Sequence, residues 1–241
     1  MTEITLVPGD DPELFAAIVP LLEAAGAELS FDAPSPEATW ETLIASARRT
    51  GVVLVGEAAS RDAETRPIVR LRKALGVTHN LRPVKNLAGL PSRAEGVDLV
   101  IVRETTEDVY AHLEHESIPG TFESLKVTTK AACERIAHTA YDLARAQGRK
   151  KVSIVHKANI MKLSDGMFLR TAKAVSEGYP DLETEDVIVD ALCMKLVLNP
   201  ERFDVLVCGN LFGDIVADLC AGLVGGACNA PSINVAPDCT I

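Results

Sequence analysis

Asp214 and Asp218 stand four residues apart in Asn210-Leu211-Phe212-Gly213-Asp214-Ile215-Val216-Ala217-Asp218-Leu219, directly after the apolar run 203–208. Positions i and i+4 share a helix face, so both carboxylates point the same way. A helix that follows a strand end is where α/β folds gather ligands. Two carboxylates on one rigid face suit a hard divalent cation such as Mg2+ or Mn2+. The plainer reading is an acidic first turn answering the helix dipole, and it accounts for Asp214. It accounts less well for Asp218, because Ile215, Val216, Leu219 and the run 221–226 make this a largely buried helix.

Cations recur at other strand ends. Arg82 and Arg103 border apolar strands, and Arg72 sits in Leu71-Arg72-Lys73. Guanidinium groups hold carboxylates bidentately and permanently. For each alone, a surface ion pair is the commoner fate. Lys157 follows the buried run 152–155, where desolvation and a nearby cation would favour its neutral, proton-accepting form. A lone tyrosine such as Tyr110 is more often core or interface than acid.

Four segments together resemble one family. NLFGDIVADLCAGLVGG, LRKALGVTHNLRPVK (71–85), VRETTEDVYAHLEH (102–115) and VHKANIMKLSDGMF (155–168) are similar to motifs of the isocitrate and isopropylmalate dehydrogenases. These are the β-decarboxylating dehydrogenases, and the NAD-dependent isocitrate branch is the nearest in character. The resemblance runs from about residue 68 to 235 and implies a role for each candidate. Arg72, Arg82 and Arg103 would clamp the malate part of a small carboxylic acid. Tyr110 would protonate the enolate after CO2 leaves, and Lys157 would handle the proton at the substrate hydroxyl. Asp214 and Asp218 would hold Mg2+ or Mn2+ with Asp190 from a second subunit, which also supplies Lys157. Asn159 would lie on the cofactor side.

These residues need a scaffold, and the pattern supplies one. Strands are expected at 4–8, 27–31, 52–55, 79–84, 99–102, 152–156, 185–189 and 205–208. Helices are expected at 11–25, 36–49, 64–75, 129–147 and 164–177. Alternation of this kind predicts an α/β protein with mostly parallel strands. The resemblance implies a two-domain plan: a truncated large domain from 1–77 and 226–241, and a small domain from 78–225. Residues 111–128 would form an arm that interlocks with a second copy, giving a homodimer with shared active sites.

Composition excludes several classes. A net charge of −10 over 241 residues disfavours nucleic acid as a partner. No run of 18 apolar residues offers a membrane span, and no basic leader is visible. Six cysteines without CxxC spacing read as free thiols in a reducing cytoplasm.

Three departures from the family pattern fall on the dinucleotide side. The glycine-rich opening turn is shortened to Pro-Gly-Asp-Asp-Pro-Glu-Leu (8–14), removing glycines that allow close backbone approach. The loop before the first arginine motif reads Arg66-Pro67-Ile68 where Ser or Thr and Asn would be offered. The sequence stops at Ile241, before the family's adenosine-binding loop. The resulting expectation is a metal-dependent decarboxylase that binds NAD weakly or not at all. An NAD-dependent oxidative decarboxylase and a non-catalytic regulatory subunit are the alternatives.

Overall fold

The computed structural model describes residues 2–7, 12–34, 38–56 and 67–241. Residues 8–11 of the opening turn, and Arg66, therefore lie outside the described residues. The chain divides into two compact units, Met1–Thr78 with Ile233–Ile241, and His79–Ser232.

In the first unit, β1 (Thr2–Val7), α1 (Pro12–Ala24), β2 (Leu29–Asp32), α2 (Trp40–Thr50), β3 (Val53–Val55) and α3 (Pro67–Leu75) follow one another. The three strands pair in parallel in the order β2-β1-β3. Thr39 caps α2 by accepting from Thr42 N, and Gly51 ends it at φ +70°, a left-handed turn that favours glycine. Leu71 and Leu75 of α3 pack with Val7, Ala47 and Val53. Arg72 thus rides on a helix whose buried face holds it in place.

The second unit carries the candidate chemistry. It contains β4 (His79–Lys85), β5 (Asp98–Glu104), the hairpin β6 (Glu114–Ile118) and β7 (Thr121–Ser124), α4 (Lys130–Ala146), β8 (Lys151–His156), α5 (Ser164–Ser176), β9 (Glu183–Ile188), α6 (Val189–Leu198), β10 (Val205–Cys208) and α7 (Asn210–Leu223). Its main strands run in the order β4-β5-β10-β8-β9. All neighbours are parallel except β4 with β5. Both sheet faces are covered, which is why Leu99–Val102 of β5 and the whole of β10 are continuously apolar rather than alternating. Leu99, Ile101, Leu206 and Cys208 face a core that includes α6 and α7 residues, whereas Val100, Val102, Val205 and Val207 face one that includes α4 and α5 residues.

Two expectations change. Asp190 does not end a strand: β9 stops at Ile188, and Asp190 lies in the first turn of α6. The segment 189–198 is apolar on most sides, so it carries little of the period that marks an amphipathic helix. Asp214 lies beyond the first turn of α7, which begins at Asn210. The dipole explanation for Asp214 weakens accordingly, because that effect fades within a turn.

All six cysteines are free. Burial, with Glu107, Glu104 and Asp165 nearby, pushes the Cys133 thiol up to about 12. Burial alone dominates at Cys220, also raised to about 12, and pushes Cys208 up as well. Thiolate is the reactive form. Exposed Cys228 should therefore react first with a thiol reagent, and Cys133, Cys208 and Cys220 only as the protein unfolds, as read by mass spectrometry of timed labelling.

Candidate active site at one sheet edge

Register places the candidate residues along one edge. Cys208 is level with Arg103 on β5 and with Val155 on β8, and Val155 is level with Val187 on β9. The C-terminal ends of four parallel strands therefore present Arg103, the start of α7, Lys157 and Asp190 on the same side. This is the edge at which open α/β sheets bind ligands.

The first cluster is built on β4, β5 and α7. Arg103 is 5% exposed. Its Nε and Nη2 donate to Asn210 Oδ1 at 3.1 and 2.8 Å, and its Nη1 pairs with Asp214. The guanidinium carbon lies 5.3 Å from the Tyr110 ring centroid, and the Tyr110 hydroxyl donates to Asp214 Oδ2. Gly213 makes this packing possible, because a Cβ there would meet Arg103 Cγ at 2.6 Å and Cβ at 2.8 Å. Arg82 reaches from β4 to Asp218 at 3.7 Å, and its Nε is buried with no hydrogen-bond partner. A buried guanidinium N–H without an acceptor is costly, and a bound carboxylate would satisfy it.

Tyr110 is held by a strained neighbour. Asp108 has φ +77°, a left-handed conformation rare outside glycine, and caps the short 3-10 turn Val109–Ala111. Its Oδ1 accepts from Val109 N at 2.8 Å and its Oδ2 from Leu211 N at 3.1 Å. Desolvation, then the hydrogen bond to Asp214, raises the Tyr110 phenol above its ordinary value. The group stays protonated at neutral pH and holds a proton to give.

The second cluster is built on β8, β9 and α6. Lys157 Nζ pairs with Asp190, whose side chain is 68% exposed, and that bond holds the Asp190 carboxyl below its usual range. Two buried side chains fix the turn after β8. Asp165 Oδ2 accepts from Lys157 N at 2.7 Å, and His156 Nδ1 accepts from Ala158 N at 3.0 Å. Asn159 is exposed on this turn.

Arg82, Arg103, Tyr110, Asp214 and Asp218 are thus brought together, and Lys157 and Asp190 form a separate pair. Arg72 belongs to the first unit. Among the described residues no group of three His, Cys, Asp or Glu side chains converges on a metal position. Asp214 and Asp218 are nonetheless a hard-oxygen pair on one helix face. Each now pairs with an arginine, which a bound cation would have to displace in part, and the hard oxygen donors themselves fit Mg2+ or Mn2+. Sequence reasoning missed Asn210, Gly213 and Asp108. Asn210 and Gly213 were visible in the Asn-Leu-Phe-Gly-Asp string, but nothing in Asp108's neighbours signals its left-handed backbone.

A family model for isocitrate/isopropylmalate dehydrogenase matches residues 5–241. The chain belongs to the isocitrate/isopropylmalate dehydrogenase family. Members of this family are decarboxylating dehydrogenases. The chain is 42% identical to "Isocitrate dehydrogenase [NAD] catalytic subunit 5, mitochondrial" of Arabidopsis thaliana, covering 97% of this chain and 66% of the relative. It is equally 42% identical to "Isocitrate dehydrogenase [NAD] regulatory subunit 1, mitochondrial" of the same plant, covering 98% and 66%. A crystal structure of isocitrate dehydrogenase from Methylococcus capsulatus superposes with a TM-score of 0.88 at 38% identity, covering 100% of this chain and 76% of that one. The chain thus spans about two thirds of the length of the curated relatives it matches. Overall identity does not separate a catalytic from a regulatory relative, so that question returns to the residues.

Proposed function

We propose that the protein catalyses metal-assisted decarboxylation of a malate-type acid in its β-keto (2-oxo) form, whose carbonyl takes up the electron pair as CO2 leaves, with this chain supplying the ligands, the arginine clamp and the proton-transfer groups. The cluster of Arg103, Tyr110 and Asp214 carries this reading. A purely regulatory chain has no need of a raised, protonated phenol beside a carboxylate pair and a second cluster with Lys157.

Asp214 and Asp218, with Asp190 of a second copy, would hold Mg2+ or Mn2+, which supplies Lewis-acid polarisation of the substrate oxygen. Arg103 and Arg82 bind substrate carboxylates and fix the bond to be broken. Arg82 Nε gains its missing acceptor in doing so. As CO2 leaves, Tyr110 gives its proton to the carbon that carried the carboxylate. Lys157 manages the proton at the C2 oxygen. A 2-oxo acid needs no dinucleotide for these steps.

Oxidation of the 2-hydroxy acid with NAD beforehand is the second reading, favoured by the names of the relatives. Against tight NAD binding stand, in the sequence, the loss of close-approach glycines at 8–14 and the apolar Ile68 where the family pattern offers polar side chains. The assay follows directly: CO2 release from the 2-oxo acid formed by oxidising isocitrate, with Mn2+ and without NAD, beside NADH formation from isocitrate and isopropylmalate. Rapid NADH formation would establish the dehydrogenase reading instead.

Tyr110→Phe should lower kcat for CO2 release by about 10²–10⁴, the usual worth of a positioned acid, and leave KM near wild type. Tyr110 is 39% exposed, so the fold should be unaffected. An unchanged kcat would remove Tyr110 from the proton path.

Self-association completes the reading, because Lys157 and Asp190 stand apart from the first cluster. The β6–β7 hairpin exposes Ile118 at 64% and Phe122 at 76%, and α6 exposes Val197 at 59% and Leu198 at 67%. Apolar surface of this kind marks an interface. A homodimer is the expected mass by light scattering at micromolar concentration, and a stable monomer would refute it.

A further inference from the structure

The two clusters are joined inside the chain by one cation. Lys126, between β7 and α4, places its Nζ 2.9 Å from Asp108 Oδ2 and 3.2 Å from Asp165 Oδ1. All three side chains are largely withdrawn from solvent, at 17%, 4% and 6% exposure. The ammonium also lies 5.1 Å from the Phe212 ring centroid, and the group borders a small cavity lined partly by Glu104, Val155 and Asn210.

Each carboxylate does a second job. Asp108 holds the Tyr110 turn and the first residues of α7, and Asp165 holds the backbone of Lys157. Asp108 is further tied to this segment by its N–H to Val127 O at 2.9 Å. Two buried carboxylates of the same sign tolerate each other only while the ammonium stays between them.

We infer that Lys126 is a positioning residue shared by two active centres, setting the Tyr110–Asp214 half of one and the Lys157–Asp190 half of the other. This rests on the shared-centre reading above, because in a dimer those two halves serve different sites. Lys126 touches neither substrate nor cation in this role. It acts through Asp108 on one side and Asp165 on the other, so a disturbance at one centre reaches its neighbour within the same chain.

Hydrogen–deuterium exchange on the whole chain tests the bridge without any assay of turnover. Lys126→Met should speed exchange several-fold in both 108–112 with 210–214 and 156–166. Arg145→Met, which removes a pair to Asp181 elsewhere on the unit, should change neither. Loosening on one side only overturns the inference. If Lys126→Met does not fold, Asp165→Asn leaves the Lys126–Asp108 pair charge-balanced. It should loosen 156–166 and, more weakly, 108–112, and no change at 108–112 counts against the bridge.

Mixed dimers then read the two centres, with CO2 release from the same 2-oxo acid and Mn2+. A dimer of Tyr110→Phe with Lys157→Met keeps one intact centre and should show about half the wild-type rate. No recovery there overturns the shared-centre reading itself, and this inference falls with it. Lys126→Met should fail to recover with either partner. Recovery with one of them confines Lys126 to a single half and overturns its shared role.

Discussion

Gly213→Ala should destabilise the protein and abolish the ordered position of Arg103, although alanine is the better helix former. Two effects compete. Removing a glycine from a helix interior gains about 1 kcal/mol in propensity. The added methyl, however, would sit 2.6 Å from Arg103 Cγ and 2.8 Å from its Cβ. Arg103 Cβ is fixed to β5, where Leu99–Val102 are all but fully buried, so the strand cannot yield cheaply. Overpacking of this kind costs about 1–3 kcal/mol, which outweighs the propensity gain. The guanidinium is also pushed from Asn210 and Asp214, so substrate affinity falls with stability. Gly222→Ala, on the same helix with nothing within 4 Å of the added carbon, is the internal control. It should be neutral or stabilising by about 0.5 kcal/mol. Urea denaturation of both variants decides the matter. A Gly213→Ala protein as stable as Gly222→Ala would mean that the Arg103 stem does not confine this helix.

The same pair of residues marks how far the sequence can be read. The alternation of apolar runs and amphipathic segments was enough to anticipate parallel strands, because Leu99–Val102 of β5 and all of β10 are buried on both faces and carry no polar position. It was not enough for α6, whose apolar surface is nearly continuous and so lacks a helical period. Nor could it separate β4, which is antiparallel to β5, from its parallel neighbours, since direction depends on the connection and not on side-chain pattern. Within the site, spacing put Asp214 and Asp218 on one face, and the strand ends pointed to Arg82, Arg103 and Lys157. What stayed hidden was the supporting shell. Lys126 lies in a polar stretch between the hairpin and α4, 16 residues from Tyr110 and 31 from Lys157, and only the folded chain brings its two carboxylates to it.

Asp214→Asn should reduce both metal affinity and stability, whereas Asp218→Asn should reduce metal affinity alone. The two carboxylates share a helix face but not an environment. Asp214 neutralises Arg103, which is 5% exposed, and accepts from Tyr110. Converting it to an amide leaves that guanidinium buried with Asn210 as its remaining polar partner in the cluster. Asp214 is itself 39% exposed, and solvent screens part of the loss, so the expected cost is about 1 kcal/mol. Asp218 is 75% exposed and only 3.7 Å from Arg82, so its removal leaves stability unchanged within measurement. Each variant would weaken the hold on the cation that polarises the substrate oxygen; loss of such electrostatic stabilisation usually costs about 10²–10³ in turnover, and both variants should fall by that factor. Mn2+ titration by calorimetry, beside thermal melts taken without metal, separates the two contributions. Equal Mn2+ affinity in wild type and Asp214→Asn would remove α7 from the metal site. Equal melting of the two variants would mean that Arg103 does not depend on its carboxylate, and that the Arg103–Asp214 pair has no structural task before metal arrives.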